Sequence, residues 1–314
     1  MRQVLAGLTF LMGVLAVGHA SDGRIEISQA AVITDPGAYI VTANITTSNE
    51  TPLKVTGSDI DVDLNGMVLK RTDSGTGVRA VLYVDESQNV KLHGGTLSGL
   101  GNQSIRIDDS QHVLVEDISF RAAGTGLFAF KSTHLQFRDL RINNDLTSSH
   151  ALGMSWCTNI TITSCIIEPR DFTSASRGIY LSSSKNIRIS DCSISDLNIG
   201  LYALNTSSIV NINRCNFTLT GGASADPAIF LQGDRAQVVN CDILDGRKGI
   251  VVYGNDCMIS GNRIVNNALA ALTFASSAND NAYGNNIIFH NGSSVDDSGT
   301  NTIDFGGNQI FANP

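Results

Sequence analysis

Four short stretches repeat one phrase: "TITSCII" (161–167), "RISDCSI" (188–194), "NINRCNF" (211–217) and "QVVNCDI" (237–243). Each alternates apolar and polar residues and reaches a cysteine two places before its last apolar residue. Cys165, Cys192, Cys215 and Cys241 lie 27, 23 and 26 residues apart, in a chain of 314 residues with six cysteines. Four of the six therefore hold one place in one repeating unit.

The phrase extends in both directions. Aligned on the apolar residue that ends it, the cysteine column reads Met67, Gly95, Ile118, Leu140, the four cysteines, Asn262, Asn285 and Asn308. Period-two alternation makes each phrase a strand. A second short strand recurs between phrases: "VLYVD" (81–85), "SIRID" (104–108), "GLFAFK" (126–131), "ALGMSW" (151–156), "GIYLSS" (178–183), "GLYALN" (200–205), "AIFLQG" (228–233), "GIVVYG" (249–254) and "AALTF" (270–274). Short strands and turns repeating at about 23 residues and stacked on themselves describe an all-β solenoid, a parallel β-helix of about 11 coils. With neighbouring strands about 4.8 Å apart, the rod is on the order of 50 Å long.

The cysteine column then points inward, where a small, soft, apolar side chain fills each slot. Toward the C-terminus asparagine takes over, and its amides can bond up and down the stack as a ladder. Strand spacing exceeds the usual Cβ separation of a disulfide, four sulfurs in a line cannot make a tetrahedral metal site, and Cys157 and Cys257 fall four coils apart. Mostly free, buried thiols are expected.

The chain opens with Arg2, the apolar run "VLAGLTFLMGVLAV" (4–17) and "GHA" (18–20), the pattern of a signal peptide. The expected organisation is a signal peptide at 1–20, an N-terminal cap with the first strands at 21–58, and coils over 59–314. No later run is long and apolar enough to span a bilayer, so the expected location is secreted or periplasmic. A net charge of −8 and a pI near 5.1 disfavour a nucleic-acid partner. Oligomeric state is not legible.

"TDPGAYIVTANIT" (34–46) followed by "VDLNGMVL" (62–69), and coils such as "SKNIRISDCSISDLNIGLYALNTSS" (184–208), resemble the right-handed parallel β-helix proteins of the pectin-lyase-like group. The resemblance covers about residues 35–310. It implies a single-stranded right-handed solenoid and a setting in which polysaccharide lyases, hydrolases, uronate epimerases, tailspikes and non-catalytic surface proteins all occur. Fold does not choose among them. The "DPH" of alginate epimerases is absent, since Asp226-Pro227 is followed by Ala228. So are the "GHG" and "RIK" of polygalacturonases and the Arg-x-Pro-x-x-Arg of pectate lyases.

Parity along the second strand puts Tyr83, Arg106, Phe128, Gly153, Tyr180, Tyr202, Phe230, Val251 and Leu272 outside. Two residues later the outward column reads Asp85, Asp108, Phe130, Ser155, Ser182, Leu204, Gln232, Tyr253 and Phe274, with Trp156 ending its strand. The other strand's outward columns are polar, for example Gln136, Thr161, Arg188 and Asn211. Rings on one side only mark an interaction surface, here suited to the C–H faces of a linear, uronate-containing polysaccharide through Tyr83, Phe128, Phe130, Trp156, Tyr202, Phe230 and Tyr253. A covering of loops would explain the same rings.

Two places along that face carry chemistry. Asp85 and Asp108, with Arg106, place two carboxylates on adjacent coils, for glycoside hydrolysis by split pKa values or for holding Ca²⁺. His150, with Tyr180, Arg177 and Arg170, places a proton carrier beside a carboxylate partner, the division of labour of a lyase or epimerase. The leading expectation is a polysaccharide-binding or polysaccharide-modifying protein with lyase or epimerase chemistry, and no cofactor unless Ca²⁺ binds. The alternative is a non-catalytic adhesion or carbohydrate-binding rod.

Overall fold

The computed structural model describes residues 20–73, 80–99, 103–122, 124–143, 145–146, 150–169, 171–172, 176–219 and 226–311. Residues 1–19 of the expected leader, and Arg170, lie outside them. Among the described residues there is no helix, and none that could cross a membrane.

A coil holds three strands. His150–Ser155 is followed by Thr158–Thr163 and Ile166–Ile167, and each pairs in parallel with the strand that follows it by one coil, Arg177–Ser182, Lys185–Ser190 and Ser193–Ser195. The first strands of successive coils build a 12-stranded sheet, and the other two build a 23-stranded sheet folded at a corner. Segment 21–58 is wound into the same stack. Ile25–Ile27 pairs with Gly37–Val41, and Ala31–Ile33 pairs with Leu53–Val55, which pairs in turn with Ala80–Asp85.

The corner inside the larger sheet explains the repeating phrase. Asp117, Asp139, Ser164, Asp191, Arg214 and Asn240 all take φ between 50° and 56°, a left-handed conformation that short polar residues tolerate best. The residue after each corner drops into the core: Ile118, Leu140, Cys165, Cys192, Cys215 and Cys241, all buried. All six cysteines are free and buried, as expected.

Two details differ from the sequence reading, each by one residue. In "YGNNI" the corner is Asn285 (φ 55°), and the inward residue is Asn286. The ladder therefore runs Cys241, Asn262, Asn286, Asn308. The Cys241 N–H donates to Asn262 Oδ1 (2.9 Å), the Asn262 N–H to Asn286 Oδ1 (3.0 Å), and the Asn286 N–H to Asn308 Oδ1 (2.9 Å). In "AALTF", Leu272 registers with Ile250 and Phe274 with Val252, and both are 0% exposed. Thr273 is the outward residue of that rung. Because side chains alternate at period two, a slip of one place reverses the face.

A second internal file gives Cys157 its place. The N–H of Ser87 donates to Ser110 Oγ, that of Ser110 to Ser132 Oγ (both 3.1 Å), that of Cys157 to Ser184 Oγ (3.2 Å) and that of Ser184 to Ser207 Oγ (3.3 Å). Burial pushes the Cys157 and Cys257 thiols up to about 11.

Asn286→Ala leaves the buried Asn262 N–H without its acceptor and should cost about 1–3 kcal/mol in denaturant unfolding. Asn285→Gly, at the exposed left-handed corner, should stay within about 0.5 kcal/mol. The reverse ranking would restore the sequence-read column. A chromogenic thiol reagent should label none of the cysteines in the native protein and all six in denaturant.

Candidate functional site

The 12-stranded sheet carries an outward column in strict register: Lys54, Tyr83, Arg106, Phe128, Gly153, Tyr180, Tyr202 and Phe230. Parallel pairing sets each side chain over its counterpart, so rings stack on rings. Tyr180 lies on Tyr202 (6.1 Å between centroids, 8° between planes), Tyr202 on Phe230 (4.9 Å, 6°), and Phe230 is tilted against Tyr253 (5.3 Å, 50°). Cations continue the stack. The Arg106 guanidinium sits 4.8 Å from the Phe128 centroid, and Lys54 Nζ 5.0 Å from that of Tyr83. The ring faces are thus spent on each other, and edges and hydroxyls look outward. Trp156 (63% exposed) and Tyr253 (43%) are the open rings of the expected binding set. Trp156 stands at φ 59°, a costly conformation for a bulky side chain.

Gly153 interrupts the ladder, and His150 fills the gap. A Cβ on Gly153 would meet the Phe128 ring at 2.8 Å and His150 Cδ2 at 3.3 Å. The imidazole packs on Tyr180 at 4.2 Å and 14°. Burial, with the nearby Arg177 charge second, pulls the His150 pKa down to about 4, so the ring is neutral at ordinary pH. Its Nδ1 is buried without a hydrogen-bond partner. Arg177 stands in register with His150, its guanidinium 4.7 Å from the Tyr202 centroid and 5.6 Å from that of Tyr180. The Arg177 Nε is also buried and unpaired, and among the described residues no carboxylate pairs with Arg177. His150, Arg177 and Tyr180, expected together from sequence, are brought together.

Asp85, Asp108 and Arg106 also converge, with two partners sequence reading missed or placed elsewhere. The Tyr83 hydroxyl lies 2.9 Å from Asp85 Oδ1 and 3.0 Å from Asp108 Oδ2. Lys54 Nζ is 3.0 Å from Asp85 Oδ2, and Arg106 Nε is 2.5 Å from Asp108 Oδ1. Every one of the four carboxylate oxygens thus lies within hydrogen-bond reach of a protein donor, although only three can be satisfied at a time. One hydroxyl carries one hydrogen, so Tyr83 is shared between the two acids, and burial together with both acids holds its own pKa up. A Ca²⁺ ion bound here would have to displace Lys54 or Arg106. Lys54 had a signal, the alternation of "LKV" (53–55). Asn198 had none; it is buried, with both amide atoms unpaired, beside Ile199, which registers with Arg177. Phe130 is half-buried between Arg106 and Lys131 (5.8 and 5.1 Å).

Several solved structures share this winding. The tailspike protein of Dettilon aligns with a TM-score of 0.59 at 12% identity, covering 87% of this chain and 60% of that one. The catalytic domain of GH87 alpha-1,3-glucanase aligns at 0.57 and 12%, covering 91% and 63%. A double mutant of the periplasmic alginate epimerase AlgG aligns at 0.57 and 8%, covering 94% and 80%. This chain spans about three fifths of the length of the first two. No curated protein matches it in sequence. Residues 76–227 match the family model described as the right handed beta helix region, and with these folds the chain has the right-handed parallel β-helix fold.

Proposed function

We propose that this is an exported protein that acts on an extended, uronate-containing polysaccharide laid across the 12-stranded sheet, with His150 and Arg177 at the reacting unit. The observation that carries the reading is the pairing of a neutral, desolvated imidazole whose Nδ1 has no partner with a guanidinium whose Nε has none. Two adjacent buried polar groups without partners mark a place where something else completes them. Arg177 would take the substrate carboxylate, whose neutralisation makes the neighbouring C–H acidic. His150, in the tautomer protonated at Nε2, offers a lone pair at Nδ1 to receive that proton. Elimination gives a lyase, and return of a proton to the opposite face gives an epimerase. Trp156, at the far end of the His150 strand, offers a flat ring to a sugar several units away. That relatives in fold include an alginate epimerase and a glucanase agrees with a glycan substrate.

The unsaturated product of elimination absorbs in the ultraviolet, and epimerisation exchanges the C5 hydrogen for deuterium from the solvent. His150→Ala should lower whichever rate is found by about 10²-fold or more. Arg177→Ala should chiefly raise KM. Silence on alginate and polygalacturonate by both readouts, with binding retained, would instead establish a non-catalytic binding rod.

The lowered pKa of His150 also fixes two pH dependences. Activity requiring the neutral ring should hold as pH falls through 6.5 and decline near pH 4. In stability the sign is unfavourable to acid. Between pH 6.5 and 4 the unfolded chain binds a proton that the folded chain refuses, so stability falls across that window. His150→Phe should flatten this part of the stability profile while keeping a ring in the ladder.

A further inference from the structure

The larger sheet has no ring ladder outside. Its strands Thr133–Arg138, Thr158–Thr163, Lys185–Ser190, Ser208–Asn213 and Gln237–Val239 stack in register, and their outward side chains line two adjoining cavities of about 420 and 590 Å³. Thr161, Arg188 and Asn211 belong to both cavities, so the two form one trough along the rod. This size is that of ligand sites generally.

Three observations give the trough a chemistry. Arg188, at its centre, is exposed and has no carboxylate partner among the described residues, whereas Arg138 and Arg214 close by are tied to Glu116 and Asp191. Asn213 Oδ1, on the wall of the second cavity, is buried and accepts no hydrogen bond. One rim is held in place: Asn186 Nδ2 donates to Asn159 Oδ1 (3.1 Å), Asn159 Nδ2 donates to His134 Nε2 (3.2 Å), and His134 stacks on His112 (4.6 Å). Between aliphatic residues such as Ile209 and Val239, the lining thus repeats amides and hydroxyls from rung to rung around a single unpaired cation.

We propose that this trough binds an anionic saccharide, its carboxylate or sulfate on Arg188 and its hydroxyls on Gln136, Thr161, Asn211 and Asn213. Sugar hydroxyls donate and accept as amides and hydroxyls do, and Asn213 Oδ1 awaits a donor. One lone arginine on a chain of net charge −8 is too little for a nucleic-acid backbone, which needs a basic stripe. The site lies on the other sheet from His150 and stands whether or not that sheet is catalytic.

Calorimetric titration of the full chain with tetrasaccharides of galacturonate, of a sulfated galactan and of neutral glucan, at low and high salt, tests this. Binding of at least one acidic probe, weakened about tenfold or more by Arg188→Ala and by salt, is expected. The neutral glucan should bind more weakly than that probe. Thr161→Trp, which fills the trough from an exposed strand, should remove binding with the β-sheet circular dichroism unchanged. His150→Ala should leave this binding intact, which separates the trough from the site on the other sheet. The proposal is overturned if neither acidic probe binds, if Arg188→Ala binds like wild type, or if His150→Ala abolishes the same binding.

Discussion

Parallel pairing of each coil with the one before and after it is the constraint on which everything else rests. The backbone N–H and C=O groups of one coil have their partners in the next, so no coil can slip without breaking a whole rung. Every side chain is thereby placed over its counterpart at strand spacing. An interior position cannot be filled by size alone; it must tolerate a copy of itself, or something like it, on both sides. Thiols, serine hydroxyls and asparagine amides meet that condition in different ways. The thiols pack as small apolar groups, whereas Asn262 and Asn286 are buried polar groups that remain favourable only because each carbonyl oxygen takes the N–H of the coil before it.

The same register acts on the outside. A tyrosine above a tyrosine in a parallel sheet puts ring face against ring face, which removes those faces from any ligand. The aromatic column is therefore less a platform than a wall, with Lys54 and Arg106 inserted where cation and ring attract. The candidate sites lie where the repeat is broken. At Gly153 the expected side chain is missing, and the space admits an imidazole from the start of the same strand. At Asp85 and Asp108 two like charges fall in one column, and the fold answers with Tyr83 between them and a cation on each.

Much of this was legible because the repeat is strict. The phrase around Cys165, Cys192, Cys215 and Cys241 carried the winding, the interior file and the free thiols. Parity carried the outward column as far as Val251. Legibility failed where two residues satisfy the same rule. In "NN" at 285–286 either asparagine suits a corner or a ladder, and only the pairing of Arg263 with Ile287 decides. In "AALTF" a run of apolar residues hides which member faces out. The carboxylate pair was read correctly as neighbours, but not its neutralisation, since Lys54 reaches it from a coil with a much weaker phrase. The trough was invisible for a different reason: polar columns on a sheet look like ordinary solvated surface until the neighbouring arginines are seen to be paired and Arg188 is not.

His150 and its surroundings connect these points. An exposed histidine would titrate near 6.5 and would spend part of its time charged. Stacked on Tyr180 and set into the gap at Gly153, it is largely withdrawn from water, and that desolvation, more than the Arg177 charge, keeps it neutral. The ring wall then has a role that needs no contact with sugar. It supplies the low-dielectric surroundings in which a weak base stays unprotonated and in which, in the proposed reaction, a nearby guanidinium would act on an anion with little screening. On this view the aromatic residues and the candidate base are one device, and both are consequences of placing like residues over like along the rod.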